Sequence, residues 1–515
     1  MTTAPLEVPL GFRGAFYREE PERARYAGAS GVVRILPAAV AVPADAADLS
    51  VLLAWAAETR TSVVPRGAGT GMPGGNVGGG VVVDLLRGFR RIDEVNAAAR
   101  TIRVGPGVTR VELNAACAPH GLHLPVDPSS GERCGLGGMI ANNAAGARSV
   151  RHGATRAWVE ALEVVLADGT RAVAARGERP SHPRLRQITD DLRAAFLPER
   201  ACIEGSWPRV RKNSSGYALR DFLKSGDIVD LLVGSEGTLA LVTGAVMRLA
   251  QIPAARALAV LEFTSLEEAG AAVERIAPHQ PSACEILDRT FLELVRRGGG
   301  DDAYPLRPGL EAILFVETEG ASPAEAERAL QAIIREMEGI AARVVTATDP
   351  SDQERLWRLR HAASPLIARM AGDRVSMQFI EDGVVPIARL PEYITLLRET
   401  LARRGLPAVI FGHAGDGNLH VNPLVDVSAP GWREDVEEVA HEVAEGVARL
   451  GGTMAGEHGD GRLRAPLLET IWGAEMVGRF RRIKARFDPE GILNPGVILP
   501  LPGQRVVDGV GAGDR

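Results

Sequence analysis

The stretch that most constrains this chain is nearly bare backbone: Pro65-Arg66-Gly67-Ala68-Gly69-Thr70-Gly71-Met72-Pro73-Gly74-Gly75, followed by Gly78, Gly79 and Gly80. Glycine admits positive φ and lets main-chain N–H groups crowd an anion with no side chain in the way. A diphosphate is the natural occupant. Ser62-Val63-Val64 reads as a strand before the loop, and Val81-Val82-Val83-Asp84-Leu85 as a strand after it. No Lys-Ser/Thr pair follows the glycines, which excludes a P-loop. Gly69-x-Gly71-x-x-Gly74 has the dinucleotide spacing, but Pro73 and further glycines lead into a strand rather than a helix. The nicotinamide-type Rossmann reading therefore fails. A plain linker is the competing reading, and the close bracketing by apolar strands weighs against it.

At 515 residues the chain is too long for one core, so two or three domains are expected. A net charge of −6 gives no electrostatic case for nucleic acid or an anionic membrane surface. Met1 to Pro21 holds no sustained apolar run, so no signal peptide is expected, and no window approaches the roughly 18 apolar residues of a membrane span. Cys117, Cys134, Cys202 and Cys284 are widely spaced singles that match no metal or iron–sulfur pattern. They predict a reduced, cytoplasmic protein.

From Ala38 to about Leu249, short strand-like runs alternate with glycine-rich turns, and Ala44–Trp55 reads as a capped amphipathic helix. After Pro253 the pattern changes. Strand Ala257–Phe263 runs into the capping box Ser265-x-x-Glu268 and a helix carrying Leu266, Ala269, Val273 and Ile276, then a strand near Ala283–Leu287. The unit recurs with strand Ala312–Thr318, cap Ser322-Pro323-x-Glu325, a helix ended by Gly339, and strand Ala342–Thr346. Two such units predict a split β-α-β domain with helices on one face of an antiparallel sheet. The divisions are an N-terminal segment 1–37, a first domain 38–250, a second domain 251–455, a returning C-terminal segment 456–500 and a disordered tail 501–515.

A second chemical signal is Phe411-Gly412-His413-Ala414-Gly415-Asp416-Gly417-Asn418-Leu419-His420-Val421-Asn422. Asp-Gly-Asn between apolar runs predicts a hairpin. With a four-residue loop Gly415–Asn418, His413 pairs with His420 on one face, about 5 Å apart, where two imidazoles grip one divalent ion. Asn422, two residues on, shares that face. Gly456-Glu457-His458-Gly459-Asp460-Gly461 is the best source of a third ligand. A satisfied turn or core histidine pair is the bland alternative. No Gly-x-Ser-x-Gly elbow supports a serine hydrolase. Pro125–Ser130 and Gly135–Gly146 form a third cluster of small residues against which a flat ligand could lie, and Gly234-Ser235-Glu236-Gly237 adds a turn between apolar runs.

Taken in order, these segments resemble the FAD-linked oxidases and dehydrogenases of the vanillyl-alcohol oxidase/p-cresol methylhydroxylase fold. The branch is that of the D-lactate, glycolate and D-2-hydroxyglutarate dehydrogenases, and the match runs from about Pro37 to Gly496. The resemblance implies an α+β architecture: a PCMH-type FAD-binding domain of two α+β subdomains, a ferredoxin-like cap domain and a short C-terminal helical segment. It implies that Arg66, Gly67, Ala68, Gly69, Thr70, Gly71 and Gly74 wrap the FAD pyrophosphate. Pro125, Asp127, Ser129, Gly137, Gly138, Asn142, Gly146 and Ser149 would line the flavin and ribityl region. Glu236, Gly237 and Val242 would meet the adenosine half, and Asn494 would return to touch the cofactor. The loop offers no histidine or cysteine tether, so FAD is expected to be noncovalent.

The same resemblance assigns His413, His420 and Glu457 to a divalent metal, zinc or manganese, and His458 to the catalytic base. It implies hydride transfer from a D-2-hydroxy acid to flavin N5. Arg360 matches the substrate-carboxylate arginine, with a surface salt bridge as the bland alternative. Asn422 and Arg462 are further substrate candidates, with Arg464 beside them. Where D-2-hydroxyglutarate dehydrogenases of the human type place a substrate lysine before Pro386, Ile380-Glu381-Asp382 stands here, which leaves the acid open among lactate, glycolate and 2-hydroxyglutarate. Arg211-Lys212-Asn213-Ser214-Ser215-Gly216-Tyr217 resembles the large bacterial proteins that fuse this unit to an iron–sulfur domain. The expected partners are a small 2-hydroxy acid and an electron acceptor: a quinone, an electron-transferring flavoprotein or a separate iron–sulfur subunit. Contact with the inner face of a membrane would come through such a partner. Two alternatives stay open: a non-catalytic FAD subunit of a glycolate-oxidase-like complex, and an FAD-dependent transferase resembling alkyl-dihydroxyacetone-phosphate synthase.

Overall fold

The computed structural model describes residues 6–297, 304–305, 307–347, 349–361 and 374–511. Four strands form the first sheet: β1 (Ala15–Tyr17), β2 (Ala39–Val42), β3 (Val63–Arg66) and β4 (Val81–Asp84), in the order β1-β2-β4-β3. β2 and β3 both run parallel to β4. The glycine loop is the β3–β4 connection, so it emerges at the carboxyl end of a parallel strand. Helix Ala46–Thr59 packs on this sheet, its first turn capped by Asp45, whose side chain accepts from the Asp48 N–H.

A second, antiparallel sheet holds β5 (Thr101–Val104), β7 (Val159–Leu166), β8 (Arg171–Ala175) and β9 (Ala240–Arg248), in the order β5-β9-β7-β8. β6 (Leu122–His123) and β10 (Ala250–Gln251) form a short ribbon. Against its core lie Leu468, Trp472, Met476, Phe480 and Phe487 of the late helix Leu468–Phe487. The C-terminal segment also completes the first sheet's edge: Val63 N–H donates to Ile492 O, and Asn494 N–H to Val63 O, both at 2.8 Å.

The second half is built on an antiparallel sheet of β11 (Ala255–Phe263), β12 (Ala283–Asp288), β13 (Ala312–Gly320), β14 (Arg343–Ala347), β15 (Val375–Ser376), β17 (Ala408–Gly412) and β18 (Asn418–Val425), with β16 (Gly383–Val384) beside β18. Its order is β14-β11-β13-β12-β17-β18-β15, so the four strands of the two expected β-α-β units lie in the interleaved order of a split β-α-β fold. Ser265 and Ser322 cap the two crossover helices, Leu266–Ile276 and Pro323–Glu336, as their capping sequences predict. The α+β reading holds.

Strand alternation decides where chemistry can occur. Ala257, Ala259, Leu261, Ile286, Leu314, Val316, Leu419 and Val421 point to the face covered by the two crossover helices. The alternate residues Leu258, Val260, Leu287, Ile313, Phe315, Val409 and Phe411 point to the other face, and in register with them stand Glu285, Glu317, His420 and Asn422. Four polar side chains thus share the face turned to the first half of the chain. Arg148 bridges the halves there, donating to both carboxylate oxygens of Glu317 at 2.9 and 2.7 Å and to Asp127 Oδ2 at 2.7 Å.

The expected disordered tail is corrected over residues 501–511. Val506, Val507 and Val510 are buried, and Arg34 N–H donates to Gly509 O at 2.8 Å. Apolar valines spaced through the tail find a core to join. Residues 512–515 lie outside the described residues.

Candidate active site

The two halves meet through their glycine-rich motifs. Gly461 has φ +55°, and a Cβ there would stand 2.1 Å from Pro73 O, while a Cβ on Gly459 would meet the Glu236 carboxylate at 2.6 Å. Only bare backbone lets the Gly-Glu-His-Gly-Asp-Gly segment approach the loop so closely. Asn142 Nδ2 donates to His458 O at 2.8 Å, tying the Gly135–Gly146 cluster to the same segment. Gly67 and Gly138 face each other across the loop, a Cβ on Gly67 lying 3.8 Å from Gly138 N, with nothing within 4 Å of a Cβ on Gly138. That open, side-chain-free hollow is a fit for a diphosphate.

Several residues expected to contact the cofactor also hold other parts of the protein. The Arg66 guanidinium donates to Tyr26 O at 3.2 Å and Gly28 O at 2.8 Å. Asn494 Nδ2 donates to Gly75 O at 2.7 Å and Glu236 O at 2.8 Å. The Glu236 carboxylate accepts the Asp460 N–H at 2.7 Å and the Gly461 N–H at 3.0 Å, and burial followed by Asp460 raises its pKa to about 8. Asp127 accepts from Arg148, and Ser149 Oγ donates to Asp416 Oδ2 at 2.5 Å. Pro125 is buried, Ser129 is exposed, and Val242 is half-buried on β9 opposite Val164.

The Arg462 guanidinium faces oxygens of the protein itself. Its Nε donates to Val77 O and its Nη1 to Pro495 O, both at 2.6 Å, and its Nη2 to Asn494 Oδ1 at 3.3 Å. Each of its three nitrogens thus donates to the loop or the C-terminal segment. Arg462→Met should therefore lower flavin retention and stability, by about 2 kcal/mol or more, because it leaves partly buried carbonyls unpaired. Flavin content and melting temperature report this, and a raised KM with full flavin content would contradict it. Arg464 is wholly buried, donates to Gly459 O at 2.7 Å, and pairs with Glu381 and with Asp382 at 3.5 Å.

The hairpin register differs from expectation. Phe411, not His413, pairs with His420, because β17 ends at Gly412 and residues Ala414–Asp416 make a 3-10 turn before left-handed Gly417. A Cβ on Gly412 would meet Asn418 O at 2.5 Å, so the chain turns aside there. The imidazoles still meet, edge to face, with ring centroids 5.0 Å apart.

Around them a cluster closes. His413 Nε2 lies 2.9 Å and His420 Nε2 3.3 Å from Glu457 Oε1. The outer nitrogens are committed: His413 Nδ1 is 2.7 Å from Glu285 Oε1, and His420 Nδ1 is 3.0 Å from Glu381 O. An Nδ1–H donated outward leaves the Nε2 lone pair pointing inward. Two imidazole nitrogens and a carboxylate oxygen converging on one point need a proton or a metal cation among them. The other carboxylate oxygen, Glu457 Oε2, faces the Lys212 ammonium, with Nζ 2.8 Å away. The donor set N, N, O fits a divalent transition metal with positions left for substrate.

His458 stacks on His420 with centroids 5.2 Å apart, and its side chain is 25% exposed. Its Nδ1 is held by both oxygens of Glu381, at 2.8 and 3.0 Å, which leaves Nε2 as its outward face. Burial pulls its pKa down, but the Glu381 and Asp382 carboxylates prevail and raise it to about 9. Burial pushes the Glu457 carboxyl up, yet Lys212 and His413 hold it well below the usual range. Asp382 Oδ2 accepts the N–H groups of Glu457 and His458, fixing the backbone that carries both. Arg360 is buried, donates through Nε to Glu285 Oε2 at 2.8 Å, and lies over the Phe411 ring. Asn422 is buried on β18 two residues from His420. Glu285, Glu381 and Lys212 are members of this site that motif reading missed.

Residues 37–174 match the family model of an FAD binding domain, and residues 252–498 that of the C-terminal domain of FAD linked oxidases. The chain is 32% identical to a D-lactate dehydrogenase of Archaeoglobus fulgidus, over 89% of this chain and 91% of that one. It is 31% identical to glycolate oxidase subunit GlcD of Bacillus subtilis, over 90% of this chain and 88% of that one. A D-2-hydroxyglutarate dehydrogenase of Pseudomonas putida is 32% identical over 97% of this chain, but the chain spans only 52% of that protein's length. Among solved structures, a 4-ethylphenol oxidase of Gulosibacter chungangensis shares the fold, with a TM-score of 0.70, 17% identity and 95% of each chain covered. The chain belongs to the FAD-linked oxidase family.

Proposed function

We propose that the chain is an FAD-dependent dehydrogenase that oxidises a D-2-hydroxy acid to the 2-oxo acid. The observation that carries this reading is the convergence of His413 Nε2, His420 Nε2 and Glu457 Oε1 beside His458, directly against the glycine-rich hollow. The named substrates of its relatives, D-lactate and D-2-hydroxyglutarate, support the substrate class. FAD in the hollow would supply the two-electron acceptor, and a zinc or manganese ion on His413, His420 and Glu457 a Lewis acid that makes the α-hydroxyl more acidic.

The chain's own residues do the rest. His458 Nε2 takes the hydroxyl proton in the neutral imidazole, the form present above its pKa of about 9, because Nδ1 is held by Glu381. Glu285 and the Glu381 carbonyl orient the two ligand imidazoles. Arg360, beside Glu285 and Phe411, and Asn422 on the His420 face are placed for the substrate's carboxylate and hydroxyl. A purely structural FAD subunit has no use for this set. In the no-net-oxidation transferase reading the hydroxy acid would leave the flavin unchanged.

Anaerobic mixing of the yellow protein with a panel of D- and L-2-hydroxy acids tests the proposal. Bleaching by at least one D-acid is expected, and no bleaching by any acid would refute it. Acid denaturation should release all the colour into solution, and colour left on the polypeptide would contradict noncovalent binding.

A further inference from the structure

Lys212 is a buried cation that the reaction above does not use. It is 4% exposed, and its Nζ lies 2.8 Å from Glu457 Oε2 and donates to Asn418 Oδ1 at 3.0 Å. Asn418 Nδ2 passes the contact on to Asp382 Oδ1 at 3.1 Å and Gly383 O at 3.1 Å. Asp382 in turn holds the N–H groups of Glu457 and His458 at 3.0 and 2.9 Å. One ammonium from the first half therefore touches the carboxylate whose other oxygen faces the imidazoles. Through Asn418 it also reaches the network that fixes their backbone. Lys212 further lines a cavity of about 490 Å³ with Asn143, Ser214 and Asp416, rimmed by Arg211 and Arg220.

We propose that Lys212 is the positioning residue of the metal centre. It holds Glu457 Oε2 so that the carboxylate offers one oxygen to the ion, and its charge sets how tightly the centre binds a divalent cation. The proposal rests on the reading of His413, His420 and Glu457 as ligands. Two cations on opposite oxygens of one carboxylate compete for its charge. Removing the ammonium leaves the ion-free state with a buried carboxylate short of its counter-charge, and frees Oε2 as a second ligand atom. Both effects tighten ion binding, and the second closes a position that substrate would otherwise take. The lysine thus weakens the grip on metal and keeps the centre open.

Competition of the FAD-loaded full chain against a fluorescent chelator, for Zn²⁺ and for Mn²⁺, tests this. Lys212→Ala should bind the ion about tenfold more tightly than the unsubstituted protein, or better. Lys212→Arg, which keeps the charge, should stay within about threefold. Propylammonium, which matches the deleted part of the side chain and can enter by the cavity, should bring Lys212→Ala back toward the original affinity. If Lys212→Ala does not fold, Lys212→Gln, which can still donate to Asn418, carries the same expectation. An unchanged affinity in the neutral variants, or equal tightening in Lys212→Arg, overturns the role of Lys212 while leaving the metal centre intact. Failure of the unsubstituted protein to bind either ion overturns the centre and the proposal together.

Discussion

His420→Ala is expected to abolish reduction of bound flavin by a D-2-hydroxy acid while leaving the flavin in place. His420 lies on β18 with its Nε2 3.3 Å from Glu457 Oε1 and its Nδ1 3.0 Å from Glu381 O. Removing it deletes one of three ion-holding atoms and one wall of the His458 stack. A loss of about 10³-fold or more in the rate of reduction follows if hydroxyl deprotonation needs both the ion and the base. The glycine loop is untouched, since its ties run through Asn494 to Gly75 O and Arg462 to Val77 O. Stopped-flow reduction together with flavin content separates the outcomes. A variant that keeps flavin and keeps its rate would remove His420 from the chemistry.

Glu381→Gln should have the next largest effect. Its carboxylate accepts from His458 Nδ1 at 2.8 Å, faces His420 Nδ1 at 3.4 Å and pairs with buried Arg464. An amide in its place can turn its NH₂ toward Nδ1, which favours the tautomer with Nε2 protonated and unable to take a proton. A fall in kcat of about 10²–10⁴-fold with little change in KM is expected. Leaving Arg464 with only Asp382 should also cost about 3 kcal/mol of stability, visible as a lower melting temperature. Loss of stability with kcat retained would make Glu381 a packing residue only.

What could be read in the sequence, and what could not, divides by whether the information is local. The glycine loop, the two capped β-α-β units, the His413/His420 hairpin and the Glu457-His458 pair each lie in one contiguous stretch of chain, so local spacing exposes them. Glu285 shows no such pattern. It joins the site because β12 lies beside β17, with Ile286 opposite Gly412, and that neighbour relation exists only once the sheet order is known. Lys212 and Glu457 are brought together from opposite halves of the chain. Glu381 and Asp382 did carry a signal: an acidic pair inside the apolar run Phe379–Pro386 is rarely buried without a partner. Sequence comparison drew attention there only to a missing lysine. Arg462 is likewise non-local: only the fold shows its three nitrogens donating to main-chain and side-chain oxygens of the loop and C-terminal segment.

The proposed chemistry requires an ion held by His413, His420 and Glu457 beside the flavin. Anaerobic absorbance of the flavin-loaded protein, mixed with its best D-2-hydroxy acid before chelation, after chelation and after Zn²⁺ or Mn²⁺ is restored, tests it most directly. Bleaching, then none, then bleaching again is expected, with the yellow cofactor bound throughout. Equal bleaching in chelated and untreated protein would contradict it.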